Sequence, residues 1–100
     1  MVDLTAVEHF EWDDGNARRS ADKHGVSQLE AEQVFLNDPL LNSPDIVHSG
    51  QEQRFQALSR STDGRRLFLS FTLREGGRAL RVISVRDMSR KERRQYEPET

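Results

Sequence analysis

The chain has 100 residues with 15 basic and 17 acidic side chains, and this near-neutral total conceals a split. Residues 1–50 hold Arg18, Arg19 and Lys23 against ten carboxylates, a balance of −7, whereas residues 51–100 hold twelve Arg or Lys against seven, a balance of +5. No apolar run exceeds three residues, there is no cysteine, and Asp3, Glu8 and His9 stand where a secretory signal would be basic and then apolar. These features argue against a spanning helix, a disulfide scaffold and an exported precursor, and the expectation is one soluble, cytoplasmic domain over residues 1–100 without a membrane partner.

Residues 1–6 read as a lead-in. Val7 to Trp12 then carries Phe10 and Trp12 on one face of a short strand. Asp13 and Asp14 favour a helix start, because carboxylates are stabilising at the positive end of the helix dipole, and Gly25 suits a left-handed stop for a helix over 15–24. Ser27 and Glu30 form a capping box for a second helix, with Val26 and Ala31 as a hydrophobic staple. Ala31, Val34 and Phe35 make its buried stripe, and Asn37-Asp38-Pro39 ends it. Residues 40–47 have no sustained period and leave room for one edge strand.

From Arg54 onward the period is two. Residues 55–60, 66–73 and 80–86 read as strands, linked at Ser61-Thr62-Asp63-Gly64 and Glu75-Gly76-Gly77. The middle strand sets Leu67, Leu69, Phe71 and Leu73 against Phe68, Ser70 and Thr72, so the first set is expected to face the core. Ser89 and Glu92 form a second capping box for a short helix through Tyr96, and residues 97–100 form a tail. The expected fold is α+β: an antiparallel meander of three to five strands, two N-terminal helices packed on it, a short C-terminal helix, and all helices on one face.

For chemistry, His9, His24 and His48 are scattered and no pair has metal-ligand spacing, so no metal and no cofactor are expected. The glycines lack a phosphate-loop context, and no serine sits in a nucleophile elbow. Basic residues remain. Arg81 and Arg86 lie on the last strand, and Arg90, Lys91, Arg93 and Arg94 on the last helix. Arg86 emerges from a strand that is apolar at Leu80, Val82, Ile83 and Val85; it either clamps a phosphate or pairs structurally with Glu92 or Asp87. Lys23 and His24 are either dipole partners at a helix end or acid-base groups, and His48, Glu52 and Arg54 precede the first meander strand. Metal-free RNA cleavage needs a base for the 2′-hydroxyl, an acid for the leaving oxygen and a cation for the phosphate, which His, Glu, Lys and Arg can supply. Tyr96 either stacks on a base or closes the core.

In order along the chain, Phe10-Glu11-Trp12-Asp13, Gly15-Asn16, Lys23 to Ser27, Val34-Phe35 with Asp38-Pro39, His48-Ser49 with Glu52 and Arg54, and Ile83 to Arg94 with Tyr96-Glu97 resemble the BrnT family. The resemblance covers about nine-tenths of the chain. It departs at Arg19-Ser20, where the family often has Lys-Asn, and at Val85, where Ala is frequent. It implies a RelE-like ribonuclease toxin of a type II toxin–antitoxin pair, which inhibits translation by cutting RNA. It also implies a BrnA-like ribbon-helix-helix antitoxin, bound through an antitoxin dimer that makes the DNA contacts. On this reading Lys23, His24, His48, Glu52 and Arg86 are the catalytic candidates, and Arg54, Arg81, Arg90, Arg93 and Arg94 position RNA. The alternative is a non-catalytic module of the same fold that only binds its antitoxin or RNA.

Overall fold

Alternation along the strands gives one sheet two unlike faces. In a computed structural model, which describes residues 3–18 and 25–97, five strands form a sheet in the order β1-β5-β4-β3-β2. These are β1 (His9–Glu11), β2 (Leu41–Asp45), β3 (Arg54–Arg60), β4 (Arg66–Arg74) and β5 (Ala79–Asp87). Strands β2 to β5 are the expected antiparallel meander, and the strandlike part of residues 40–47 is its edge. The all-antiparallel expectation fails at β1, which runs parallel to β5 with His9 opposite Ala79. Three residues of alternation fix which side chains face inward but not the strand's direction. Direction comes from contacts remote in sequence: the backbone N–H of Glu8 donates to the Arg78 carbonyl (2.7 Å), and buried Asn16 donates from its amide to the carbonyls of Glu11 (3.0 Å) and Val82 (2.9 Å).

Residues 14–18 are helical and are termed α1; the remainder of the helix expected over 15–24 lies outside the described residues. Asp13 and Asn16 cap this start reciprocally, each side-chain oxygen accepting the other's backbone N–H. Helix α2 (Gln28–Val34) has the expected capping box, and Val26 and Ala31 of the staple are both buried. Helix α3 (Arg90–Tyr96) likewise starts with the Ser89–Glu92 box.

On one face Leu67, Leu69, Phe71, Leu80, Val82 and Val85 pack beneath Val26, Ala31 and Val34. An aromatic run, Phe10–Phe35–Phe71–Phe55, crosses this core with centroid spacings of 5.7, 5.2 and 5.5 Å. The opposite face is organised by register into cross-strand rows. One row holds Arg86, Phe68, Leu58 and Leu41; the next holds Ser84, Ser70, Gln56 and Ser43; the third holds Glu11, Arg81, Thr72, Arg54 and Asp45.

Helix α3 belongs to this second face, because its Glu92 binds Arg86 and its Glu92 and Gln95 border a groove with Leu58 and Phe68. The helices therefore do not share one face as the sequence suggested. Buried Tyr96 closes the far end of α3, donating its hydroxyl to the Pro39 carbonyl at 2.6 Å, so its role here is packing.

A bulge determines what the second face presents. Ser70 pairs with Ser84 but the next residue, Phe71, pairs with Val82, which leaves Ile83 as an extra residue in β5. Strict alternation would send Arg86 to the side of Leu80 and Val82. The extra residue reverses the phase, so Val85 joins the core and Arg86 emerges opposite it.

Candidate active site

The second face carries a cleft of about 450 Å³ lined by residues from β2 to β5 and by Glu92 of α3. Its floor is Gln56, Ser70, Ile83 and Ser84, and His48 and Arg54 lie with Asp45 at the β2–β3 end. Arg86 and Phe68 line it on the α3 side.

At the first end His48 is held by Asp45. The Asp45 carboxylate, nearly buried, takes the His48 ring Nδ1 at 2.9 Å and the His48 backbone N–H at 3.2 Å, which pins the β2–β3 turn to its own strand. Burial pushes the Asp45 carboxyl up, but hydrogen bonds from the Gln56 side chain and from His48 outweigh it and hold the group below its usual value. An ionised Asp45 at Nδ1 places a proton there and leaves Nε2 as the nitrogen available to a substrate. The hydroxyl of Ser49 donates to the Asp45 carbonyl (2.7 Å) and accepts the Arg54 backbone N–H (2.9 Å), so the same turn sets the start of β3. Asp45 is a residue that sequence reasoning passed over. The available signal was its place three residues before His48 in a segment without period.

Arg54 lines the cleft and forms no ion pair among the described residues. Arg86 differs. Its guanidinium forks onto Glu92 at 2.8 and 2.9 Å and lies over the Phe68 ring, 4.1 Å from the centroid. Of the two roles open to it from sequence, pairing with Glu92 is the one the structure contains. The Glu92 carboxylate raises the Arg86 guanidinium above its usual value, and Arg86 in turn holds the Glu92 carboxyl below its own, against burial. Glu92 also accepts the Ser89 backbone N–H at 2.8 Å, so one carboxylate caps α3 and fastens that helix to β5.

The other sequence candidates lie apart from this cleft or outside the described residues. Glu52 is engaged by Arg74 at 3.0 and 3.4 Å. Arg81 binds Glu11 (3.1 Å) and Asp13 (2.9 Å), and with Arg74 on Glu11 it forms a charge network that fastens β1 to the sheet. Arg90, Arg93 and Arg94 are exposed on α3 and carry no ion pair among the described residues. Lys23 and His24 lie outside the described residues. The structure thus brings His48, Arg54 and Arg86 to one cleft and places Glu52 and Arg81 in ion pairs beside it. Among the described residues no group of three His, Asp or Glu side chains is gathered as a metal would require, and no helix is long and apolar enough to cross a membrane.

Comparison with known proteins agrees with this architecture. The fold is similar to a crystal structure of the Brucella abortus ribonuclease toxin BrnT, with a TM-score of 0.56, 21% identity, and coverage of 84% of this chain and 100% of that one. No curated protein sequence matches the chain. The model of the family described as ribonuclease toxin, BrnT, of type II toxin–antitoxin system matches residues 12–92, a span that contains every residue lining the cleft. The chain belongs to the BrnT family of ribonuclease toxins of type II toxin–antitoxin systems.

Proposed function

We propose that this chain is a metal-independent endoribonuclease that arrests translation by cleaving RNA and is neutralised by a ribbon-helix-helix antitoxin. The observation that carries the reading is the Asp45-oriented imidazole of His48 in one cleft with Arg54, which has no ion pair among the described residues, and with Arg86. With Nδ1 occupied by Asp45, His48 Nε2 accepts the proton of a ribose 2′-hydroxyl as that oxygen attacks the adjacent phosphorus. The P–O5′ bond breaks and the leaving oxygen takes a proton from a general acid, the role open to Lys23, His24 or Glu52, giving a 2′,3′-cyclic phosphate and a 5′-hydroxyl. Arg54 meets the charge that accumulates on the phosphate oxygens, and Arg86 adds to it once RNA competes with Glu92. Lys23, His24 and Glu52 keep the candidate acid-base roles assigned from sequence, with Arg81, Arg90, Arg93 and Arg94 as a cationic approach for the backbone. The balance of +5 in the second half supports such an approach despite the acidic total.

The test is cleavage of a labelled RNA in excess chelator by wild-type protein and by folded His48→Ala and Arg54→Ala variants. Wild type is expected to cut and leave cyclic phosphate ends, and His48→Ala to lose about 10²–10⁴-fold in rate. A folded wild type that neither cuts RNA nor arrests growth on expression would instead support the non-catalytic module, for which saturation of Arg86 by Glu92 is the supporting observation.

A further inference from the structure

Beside the cleft runs a second groove of about 290 Å³, bounded by Leu41, Leu58, Phe68, Gln56 and Gln95, that the chemistry above does not use. It shares Gln56, Phe68 and Glu92 with the cleft, so the two are continuous. We propose that this groove is a nucleobase subsite for the nucleotide next to the bond being cut, a proposal that rests on the ribonuclease reading. The register supplies its shape: Phe68 stands between Arg86 on β5 and Leu58 on β3. Arg86 covers the ring from one side, and the side toward Leu58 borders the groove. A base entering there stacks on Phe68, which is itself backed by a cation, and has Leu58 and Leu41 as an apolar floor.

The groove is apolar below and polar at its rim, as a base requires. Asn42, Ser43 and Gln95 edge it, and the Gln95 amide has no hydrogen-bond partner among the described residues. An amide presents a donor and an acceptor side by side, which matches the edge of a base and not a phosphate. Continuity with the cleft, through Gln56, Phe68 and Glu92, fixes the occupant further, because a base held here directs its own phosphate toward the cleft that Arg54 and Arg86 line together with Asp45 and Glu92. The consequence is a cleavage preference at one nucleotide position.

The test uses the four nucleoside 5′-monophosphates and inorganic phosphate as probes, followed through side-chain amide NMR signals of the full chain. At least one nucleotide is expected to shift Gln56 and Gln95, with phosphate alone leaving Gln95 unmoved. Leu58→Trp, which fills the groove, is expected to abolish the shift. Gln95→Ala, on the exposed side of a helix, is expected to weaken nucleotide affinity by about tenfold or less without touching the core. Failure of all four nucleotides to shift these signals, or reproduction of the shifts by phosphate, overturns the subsite. Mapping of cut sites separates the two readings. Nucleotide binding without RNA cleavage removes the ribonuclease and keeps the subsite, whereas cleavage without positional preference, unchanged by Leu58→Trp, does the reverse.

Discussion

The two faces of the sheet are built from the same strands and have opposite characters. On the α2 face, Leu67, Leu69, Phe71, Val82 and Val85 are 0% exposed and form one apolar cluster with Val26, Ala31 and Val34. On the α3 face the residues between them, Arg54, Gln56, Ser70, Ser84 and Arg86, line an open cleft under a seven-residue helix. The buried core and the proposed chemistry are therefore separated by a single step along each strand. Such an arrangement is vulnerable to slippage, since a shift of one residue exchanges the faces. In β5 that exchange has been used: the extra residue Ile83 lets an apolar pair, Val82 and Val85, share the core although they are three apart.

The largest expected effect comes from breaking the closed face. Phe71 is fully buried and its ring meets both Phe35 and Phe55, so Phe71→Ala should cost about 3–5 kcal/mol, much of the stability of a domain this size. Its chain neighbour Ser70 points the other way, and Ser70→Ala should stay within about 0.5 kcal/mol. Denaturant midpoints of the two variants measure the contrast. Comparable losses would mean that the faces are wrongly assigned.

A smaller effect is expected from the open face, and it should fall on activity. Asp45→Asn keeps the shape of the His48 contact and removes its charge, so RNA cleavage should drop by about tenfold or more while the fold persists. Stability against pH gives an independent reading. The folded Asp45 carboxyl lies below its ordinary value, so in acid the unfolded chain takes up the proton first. The contribution of Asp45 is thus present above the ordinary aspartate value and lost as pH falls through the folded one. The Asn variant should lack that acid limb in melting temperature. An unchanged cleavage rate in a folded Asp45→Asn would remove Asp45 as the group that positions His48.

How much of this was legible depended on whether the signal was local. The capping boxes at Ser27 and Ser89, the period of β3 and β4, and the turn at Gly64, with φ of 88°, are local, and they stand where the sequence put them. Strand β1 carries too few residues to encode its direction, which Asn16 settles from 66 positions away from Val82. The side taken by α3 was hidden for a related reason. The sequence left Tyr96 either to stack on a base or to close the core, and the face that α3 meets depends on the bulge that turns Arg86 toward Glu92. Within the cleft, His48, Arg54 and Arg86 were readable as candidates from their residue types, and the fold brings these three together. Asp45 was not, because a carboxylate in an irregular segment acquires meaning only when an edge strand buries it beside the ring.

The smallest effect tests whether Arg86 belongs to the open face's chemistry or only to its construction. Glu92→Gln retains an oxygen for the Ser89 N–H and nearly the same volume, but removes the charge that occupies the Arg86 fork. The pair is partly screened, with Arg86 38% exposed, so the variant should lose about 1 kcal/mol of stability. The sign with pH follows from the depressed Glu92 carboxyl: its contribution is present above the ordinary glutamate value and fades as pH falls through the folded one, so the wild-type advantage should vanish in acid. RNA affinity should move the other way. A freed Arg86 engages one more phosphate, which strengthens binding severalfold and steepens the slope of log affinity against log salt by about 0.7 for a single strand. If stability drops but neither affinity nor slope changes, Arg86 serves to anchor α3, and Arg54 is left as the cation that meets the phosphate.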